Sequence, residues 1–251
     1  MKLSEFLLRY VYTRKCPCCS ELIDYDHASD AFCPECRPRW DKAKVESCNV
    51  CGRAVCECIC MTRALKKSGA LCHHKVVKYS VKSPIVHGVL MFIKKNKNPR
   101  VSAFLSSEIA SVLRANEDIS ELLADDVIVT YVPRSRSAVI KYGHDQSELL
   151  ALCLAESLGA ISLPLLCRSR KRGVAQKKLD AKAREKNSKN MYELVEKHRP
   201  FIEGKTVILV DDIVTTGSSM AGCAMLIRGL GAKEIVGAAI SIAFRDSQDI
   251  I

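Results

Sequence analysis

Thr206-Val207-Ile208-Leu209-Val210-Asp211-Asp212-Ile213-Val214-Thr215-Thr216-Gly217-Ser218-Ser219 carries the densest chemical signal in this 251-residue chain. From Thr206 to Val210 the run is aliphatic and β-branched, and it breaks off at two adjacent carboxylates. Hydroxyls and one glycine follow, and from Met220 to Leu230 the apolar residues take up helical spacing. The pattern predicts a buried parallel strand, a sharp turn at its carboxyl end, and a helix whose first turn faces the contents of that turn. In open α/β sheets, ligands sit at this position.

The residue types say which ligand. Ser218 or Ser219 is expected to cap the helix, whose first-turn amides are free donors at the positive end of the helix dipole. Gly217 permits close backbone approach or a positive φ, and Thr215 and Thr216 add hydroxyl donors. Asp211 and Asp212 would repel a phosphate at the same spot, so they address another group. Vicinal sugar hydroxyls, which donate to carboxylates, fit best. Together these features point to a ribose 5-phosphate rather than a bare phosphate or a nucleotide held by its triphosphate. No complete Walker motif and no Gly-x-Gly-x-x-Gly occurs, which argues against an NTPase or a dinucleotide-binding domain.

Cysteine is the strongest compositional signal: of 14, all but Cys153, Cys167 and Cys223 lie at or before Cys72. Two regions of different construction are expected, a cysteine-rich module over residues 1–75 and an α/β domain over 76–251. Cys16, Cys19, Cys33 and Cys36 form two Cys-x-x-Cys knuckles, which match a tetrahedral zinc ribbon, with Cys18 spare. Cys48 and Cys51 begin a second set. Cys58 and Cys60 are the chosen completion, while Cys56 and Cys72 stay open as alternatives. Iron–sulfur ligation is the runner-up for the metal. Two structural Zn²⁺ ions are therefore expected, since so short a segment needs metal to fold. Trp40, Arg37 and Arg39 nearby are candidate docking contacts.

The formal net charge is +11, concentrated from Arg168 to Lys189 and at Lys94, Lys95, Lys97 and Arg100. Such surfaces attract polyanions or nucleic acid. No apolar run approaches a membrane span, and Met1 to Tyr12 reads as a short amphipathic helix rather than a signal peptide, so a cytoplasmic location is expected.

Between the two regions, Tyr79 to Pro84 reads as a connector. Helices are predicted from Ile85 to Lys95 and from Val101 to Leu113, followed by a buried strand from Val127 to Pro133. Arg134-Ser135-Arg136-Ser137 reads as a basic, hydroxyl-bearing loop with phosphate-compatible chemistry. A helix from Gln146 to Leu158, closed by Gly159, comes next, then a short strand from Ile161 to Cys167. The basic Arg168–Lys189 segment suggests a mobile hood, and Glu234 to Phe244 a last strand. The alternation calls for a parallel sheet with helices on both faces.

The Asp211–Ser219 stretch resembles the phosphoribosyl-pyrophosphate (PRPP) motif of type I phosphoribosyltransferases. The whole chain resembles the ComF family, competence-associated proteins with a double zinc module before a phosphoribosyltransferase-like domain. The order of parts carries this second resemblance: the cysteine knuckles, a Tyr79-led connector, Val132-Pro133, then Arg168, Gln176, Arg184 and Asn187, then the acidic pair. A departure lies at Tyr142-Gly143-His144-Asp145-Gln146, where the family usually shows Arg-Gly-Phe-Asn-Gln. The resemblance implies that Asp211 and Asp212, the candidate catalytic residues, hold the ribose hydroxyls, and that Thr215, Thr216, Gly217, Ser218 and Ser219 hold the 5-phosphate. It places Arg134 and Ser135 near pyrophosphate, with Mg²⁺ bridging pyrophosphate and ribose oxygens. Catalysis would then be positioning and charge stabilisation without a general base. His144 reads as a packing residue. The competence association implies a role in DNA uptake, with single-stranded DNA and a helicase or recombination mediator as expected partners. A non-catalytic DNA-binding or adaptor protein reusing the fold is the alternative.

Overall fold

The structure is a computed structural model that describes residues 14–24, 30–124, 126–169 and 191–243. The expected helix before Tyr12, the basic segment beyond Ser169 and Phe244 lie outside the described residues.

The described residues open with a small antiparallel ribbon, β1 (Arg14–Lys15) and β2 (Leu22–Ile23), then the helices α1 (Cys36–Lys44) and α2 (Arg63–Lys67). Next come β3 (Cys72–Lys78), α3 (Pro84–Lys95), α4 (Pro99–Arg114), α5 (Glu117–Leu122) and β4 (Val127–Tyr131). α6 (Arg136–Tyr142), α7 (Gln146–Leu158), β5 (Ile161–Ser162), and a hairpin of β6 (Leu166–Arg168) with β7 (Tyr192–Leu194) follow. The last described elements are β8 (Thr206–Val214), α8 (Ser218–Arg228) and β9 (Glu234–Ile242).

Five strands form one parallel sheet in the order β3-β9-β8-β4-β5. β8 is its centre, and Val207 to Val210 are fully buried on both faces, as an uninterrupted aliphatic run requires. The two-residue period divides the core. Ile208 and Val210 face one apolar cluster with helices α3, α4 and α7, while Val207 and Leu209 face another with α2 and α8. The expected α/β architecture is therefore present, with helices on both faces.

Several boundaries differ from expectation for identifiable reasons. β8 does not stop at the carboxylates but runs to Val214, because Ile213 and Val214 still pair with Ser241 and Ile242. The polar stretch after α4 is a helix, nucleated by the Asn116 side chain accepting from the Ile119 amide. The expected strand Ile161–Cys167 is split: β5 joins the main sheet, and β6 pairs with β7.

β3 was not anticipated, since Cys-His-His-Lys does not read as buried sheet. His73, His74 and Lys75 are nevertheless all buried. Lys75 Nζ donates to the carbonyls of Cys60 at 2.8 Å and His73 at 3.3 Å. Gly237 on β9 leaves room for the His73 ring, where a Cβ would stand 3.1 Å from it. β3 runs across the expected boundary at 75/76, so the cysteine-rich segment and the sheet share one hydrogen-bonded element.

Burial, then the Lys75 charge, depresses His74 from 6.5 to about 4. The folded state therefore resists taking up a proton that the unfolded chain accepts. Stability is full above about 6.5 and is lost as pH falls towards 4. Urea unfolding of His74→Leu should show a shallower loss between pH 7 and 5 than the parent; identical slopes would exclude His74 as a contributor.

Trp40 on α1 is not a docking contact. It is fully buried, with ring centroid 5.4 Å from Phe32 and 6.4 Å from Phe104 of α4, so its apolar area holds the module to the helical layer. Arg37 pairs with Asp41 at 2.9 Å and lies over the Phe104 ring.

Candidate functional site

Asp211 and Asp212 stand near the carboxyl end of the central strand and, being adjacent, project to opposite faces. Ser147 Oγ donates to Asp211 Oδ1 at 3.1 Å, and the Asp212 amide donates to the same oxygen at 2.9 Å. Asp212 accepts from the Ile213 amide at 2.9 Å. Its other oxygen lies 3.1 Å from Lys94 Nζ, at ion-pair distance though without a well-aligned hydrogen bond. The environments are unequal. Burial, then the neighbouring Asp212 charge, pushes the Asp211 carboxyl well above the usual carboxylate range.

The loop after β8 turns at Gly217, whose φ of 73° is left-handed. Gly217 itself, not Ser218 or Ser219, is the N-cap of α8, and no side chain caps it. The two serines lie in the first turn instead, and Thr216 Oγ1 lies 3.0 Å from Ser218 Oγ. The first-turn amides have no intrahelical acceptor, and that of Ser218 donates to Thr216 Oγ1 at 3.5 Å. Asp211, Thr215 to Ser219 and their neighbours line a cavity of about 60 Å³, a space for one small anion.

A Cβ at Gly217 would overlap Thr62 Oγ1, and its left-handed φ penalises any L side chain. Gly217→Ala is expected to distort the loop and weaken anion binding at least tenfold, measured by titrating ribose 5-phosphate. An unchanged affinity would mean that the loop does not hold the anion.

Arg134 and Ser135 follow β4, but they are not a free loop. Ser135 caps α6 by accepting from the Ala138 amide, and Arg134 Nη1 donates to the Lys94 carbonyl at 3.0 Å. The Arg134 guanidinium lies 4.7 Å from the Tyr142 ring centroid. Asp145 clamps the loop, accepting from the Arg134 amide at 2.7 Å and the Ser147 amide at 3.0 Å while capping α7, and burial pushes its carboxyl above the usual carboxylate range. His144 is a packing residue: its ring nitrogens lie 2.9 Å from the Tyr142 carbonyl and 2.8 Å from that of Ile93.

The structure thus brings Arg134, Lys94, Asp212, Asp211 and Ser147 into one hydrogen-bonded and ionic chain, with Thr215 to Ser219 continuing from β8. Lys94 had been visible only as part of a basic cluster, and Ser147 carried no motif. A third unanticipated neighbour is Tyr192, buried on β7, with Arg168 4.5 Å from its ring centroid and bonded to the Pro133 carbonyl at 3.0 Å.

The two cysteine tetrads assemble as the spacing predicts. The sulfurs of Cys16, Cys19, Cys33 and Cys36 lie within 4.8 Å of one another, as do those of Cys48, Cys51, Cys58 and Cys60. The alternatives Cys56 and Cys72 belong to neither set. Cys19 and Cys33 sulfurs are 3.7 Å apart. A Zn–S bond of about 2.3 Å in a tetrahedron gives an S···S edge of about 3.8 Å, so both sets could hold zinc.

Residues 94–249 match the phosphoribosyl transferase domain model. The chain belongs to the phosphoribosyl transferase domain family. Two cysteine tetrads stand ahead of that domain, and the chain is 36% identical over 93 residues to competence protein F of Haemophilus influenzae, which makes it ComF-like. The match covers 37% of this chain and 40% of that protein.

Among solved structures, adenine phosphoribosyltransferase from Thermoanaerobacter pseudethanolicus is 18% identical over 59% of this chain and 82% of its own, with a TM-score of 0.35. The Leishmania tarentolae adenine phosphoribosyltransferase is 14% identical over 62% and 76%, with a TM-score of 0.38. An allosteric regulatory enzyme of purine biosynthesis is 21% identical over 60% and 30%, with a TM-score of 0.37.

Proposed function

We propose that the chain binds PRPP, or ribose 5-phosphate, at the carboxyl end of β8. One observation carries the reading: a carboxylate pair for sugar hydroxyls leads directly into an anion-sized cavity beneath a helix N-terminus. Asp211 and Asp212 would take the ribose hydroxyls, and Thr215 to Ser219 the 5-phosphate. Arg134 and Lys94 supply positive charge next to the pair, on the side where pyrophosphate would lie, with Ser135 at the helix start beside them. Mg²⁺ bound with the ligand would neutralise pyrophosphate charge. In this reading zinc fills both tetrads.

If transfer occurs, this chain's part in it is orientation and charge stabilisation of the sugar as pyrophosphate leaves. Likeness to competence protein F supports a role linked to competence; we extend this reading to DNA uptake in the cytoplasm, with single-stranded DNA and a helicase or recombination mediator as partners. Among the described residues no helix is long and apolar enough to cross a membrane.

Calorimetric titration of PRPP with and without Mg²⁺ tests the ligand. Saturable binding that Mg²⁺ tightens is the expected result, and no heat with PRPP or ribose 5-phosphate would overturn it. Titration with single-stranded DNA tests the alternative, a nucleic-acid binder without a sugar-phosphate site, whose affinity would fall steeply with salt.

A further inference from the structure

We propose that the second cysteine tetrad positions the Thr215–Ser219 loop, with Thr62 as the positioning residue that links them. The inference rests on the reading above that the tetrad holds metal and the loop holds the anion.

The connection is short and buried. Cys60, a member of the tetrad, stands two residues before Thr62. The Thr62 side chain is 1% exposed and caps α2 by accepting from the Leu65 amide at 3.4 Å. It also sits in the place that a Gly217 side chain would need: a Cβ there would overlap Thr62 Oγ1 and come within 3.3 Å of Leu65 Cγ. The back of the loop's single glycine is therefore packed by the cysteine-rich module, not by the domain that carries the loop. Leu65, fully buried, extends this contact into the core shared with Met220 and Ala221 of α8.

The other end of the link is anchored as well. Lys75 of β3 holds the Cys60 carbonyl at 2.8 Å, so the tetrad cannot move without drawing on a buried ammonium in the sheet. A tetrad closed on a metal fixes Cys58 and Cys60, and through them the entry of the chain into Thr62 and α2. An open tetrad frees that entry, and Gly217 loses the wall that limits its backbone. The helix N-terminus then loses the fixed geometry that anion binding needs. The first tetrad packs on α3 and α4 through Phe32 and Trp40 and makes no such contact among the described residues.

The test uses the full metal-loaded chain and two readouts, amide hydrogen exchange at residues 216–220 and PRPP titration. Thr62→Ala is compared with Thr62→Ser, which keeps the hydroxyl, and both are checked for two bound metal equivalents. Cys58→Ser with Cys60→Ser opens the tetrad itself. Thr62→Ala and the double cysteine variant should speed exchange at 216–220 at least fivefold, with Thr62→Ser close to the parent. PRPP affinity should fall in the same order. Exchange at 216–220 unchanged in Thr62→Ala, with metal content intact, overturns the link whether or not PRPP binds. Accelerated exchange in a protein whose parent form does not bind PRPP upholds the link and removes the ligand reading instead. If the double cysteine variant unfolds, the Thr62 pair alone decides.

Discussion

Exchanging Asp211 and Asp212 together for asparagine is expected to take PRPP binding below calorimetric detection while the protein stays folded. The two single variants should differ in stability, because the carboxyls sit in unequal surroundings. Asp211 is half-buried beside a like charge, and its folded pKa is raised. The folded state binds that proton more tightly than the unfolded chain, so ionised Asp211 costs stability as pH rises through its folded value. Asp211→Asn keeps an oxygen for Ser147 and the Asp212 amide and removes the charge. Its melting temperature should therefore exceed the parent's at pH 7, with the gap closing towards pH 4. Asp212→Asn has the opposite sign, since it leaves Lys94 without its carboxylate. A parent-like PRPP titration in the double variant would exclude the ribose role, and equal melting temperatures for Asp211→Asn and the parent would exclude the burdened-carboxylate account.

Stripping metal from the first tetrad should produce the largest structural response. Structural zinc contributes about 10–16 kcal/mol of binding free energy at neutral pH, against a typical folding stability of about 5–15 kcal/mol. Trp40, the single tryptophan, lies on the helix that begins with Cys36, and its ring packs between Phe32 and the module's attachment to Phe104. Chelation is expected to shift its fluorescence to the red as the ring meets water, and Cys36→Ser should give the same spectrum without chelator. Emission that stays blue after metal loss would show that apolar packing alone holds the cluster.

The parts legible in sequence share a physical reason: each is periodic or local. The aliphatic run of β8, the helix Gln146–Leu158 with its glycine stop, and the paired knuckles all announce themselves within one short stretch of chain. The parts that were not legible depend on distant partners. β3 hides two histidines and a lysine that only β9 and the Cys60 carbonyl make tolerable. Trp40 read as a surface contact because its partner Phe104 lies far along the chain. Ser147 and Lys94 converge on the acidic pair through the sheet's topology, which no spacing rule encodes. The cap at Gly217 escaped because serine is the commoner choice. Here the space behind the turn, filled by Thr62, admits no side chain.

The strand order has a consequence for how the polypeptide is made. Among the described residues β3 pairs with the sheet only through β9, the last described strand, which inserts between β3 and β8. During synthesis the cysteine sites emerge and can load first, while the backbone of β3 waits without its strand partner until residue 234 and beyond have left the ribosome. A chain released before that point would present an unpaired edge with buried-type charges on it, a ready substrate for chaperone capture or proteolysis. Sheet closure is thus a later event than completion of the cysteine tetrads.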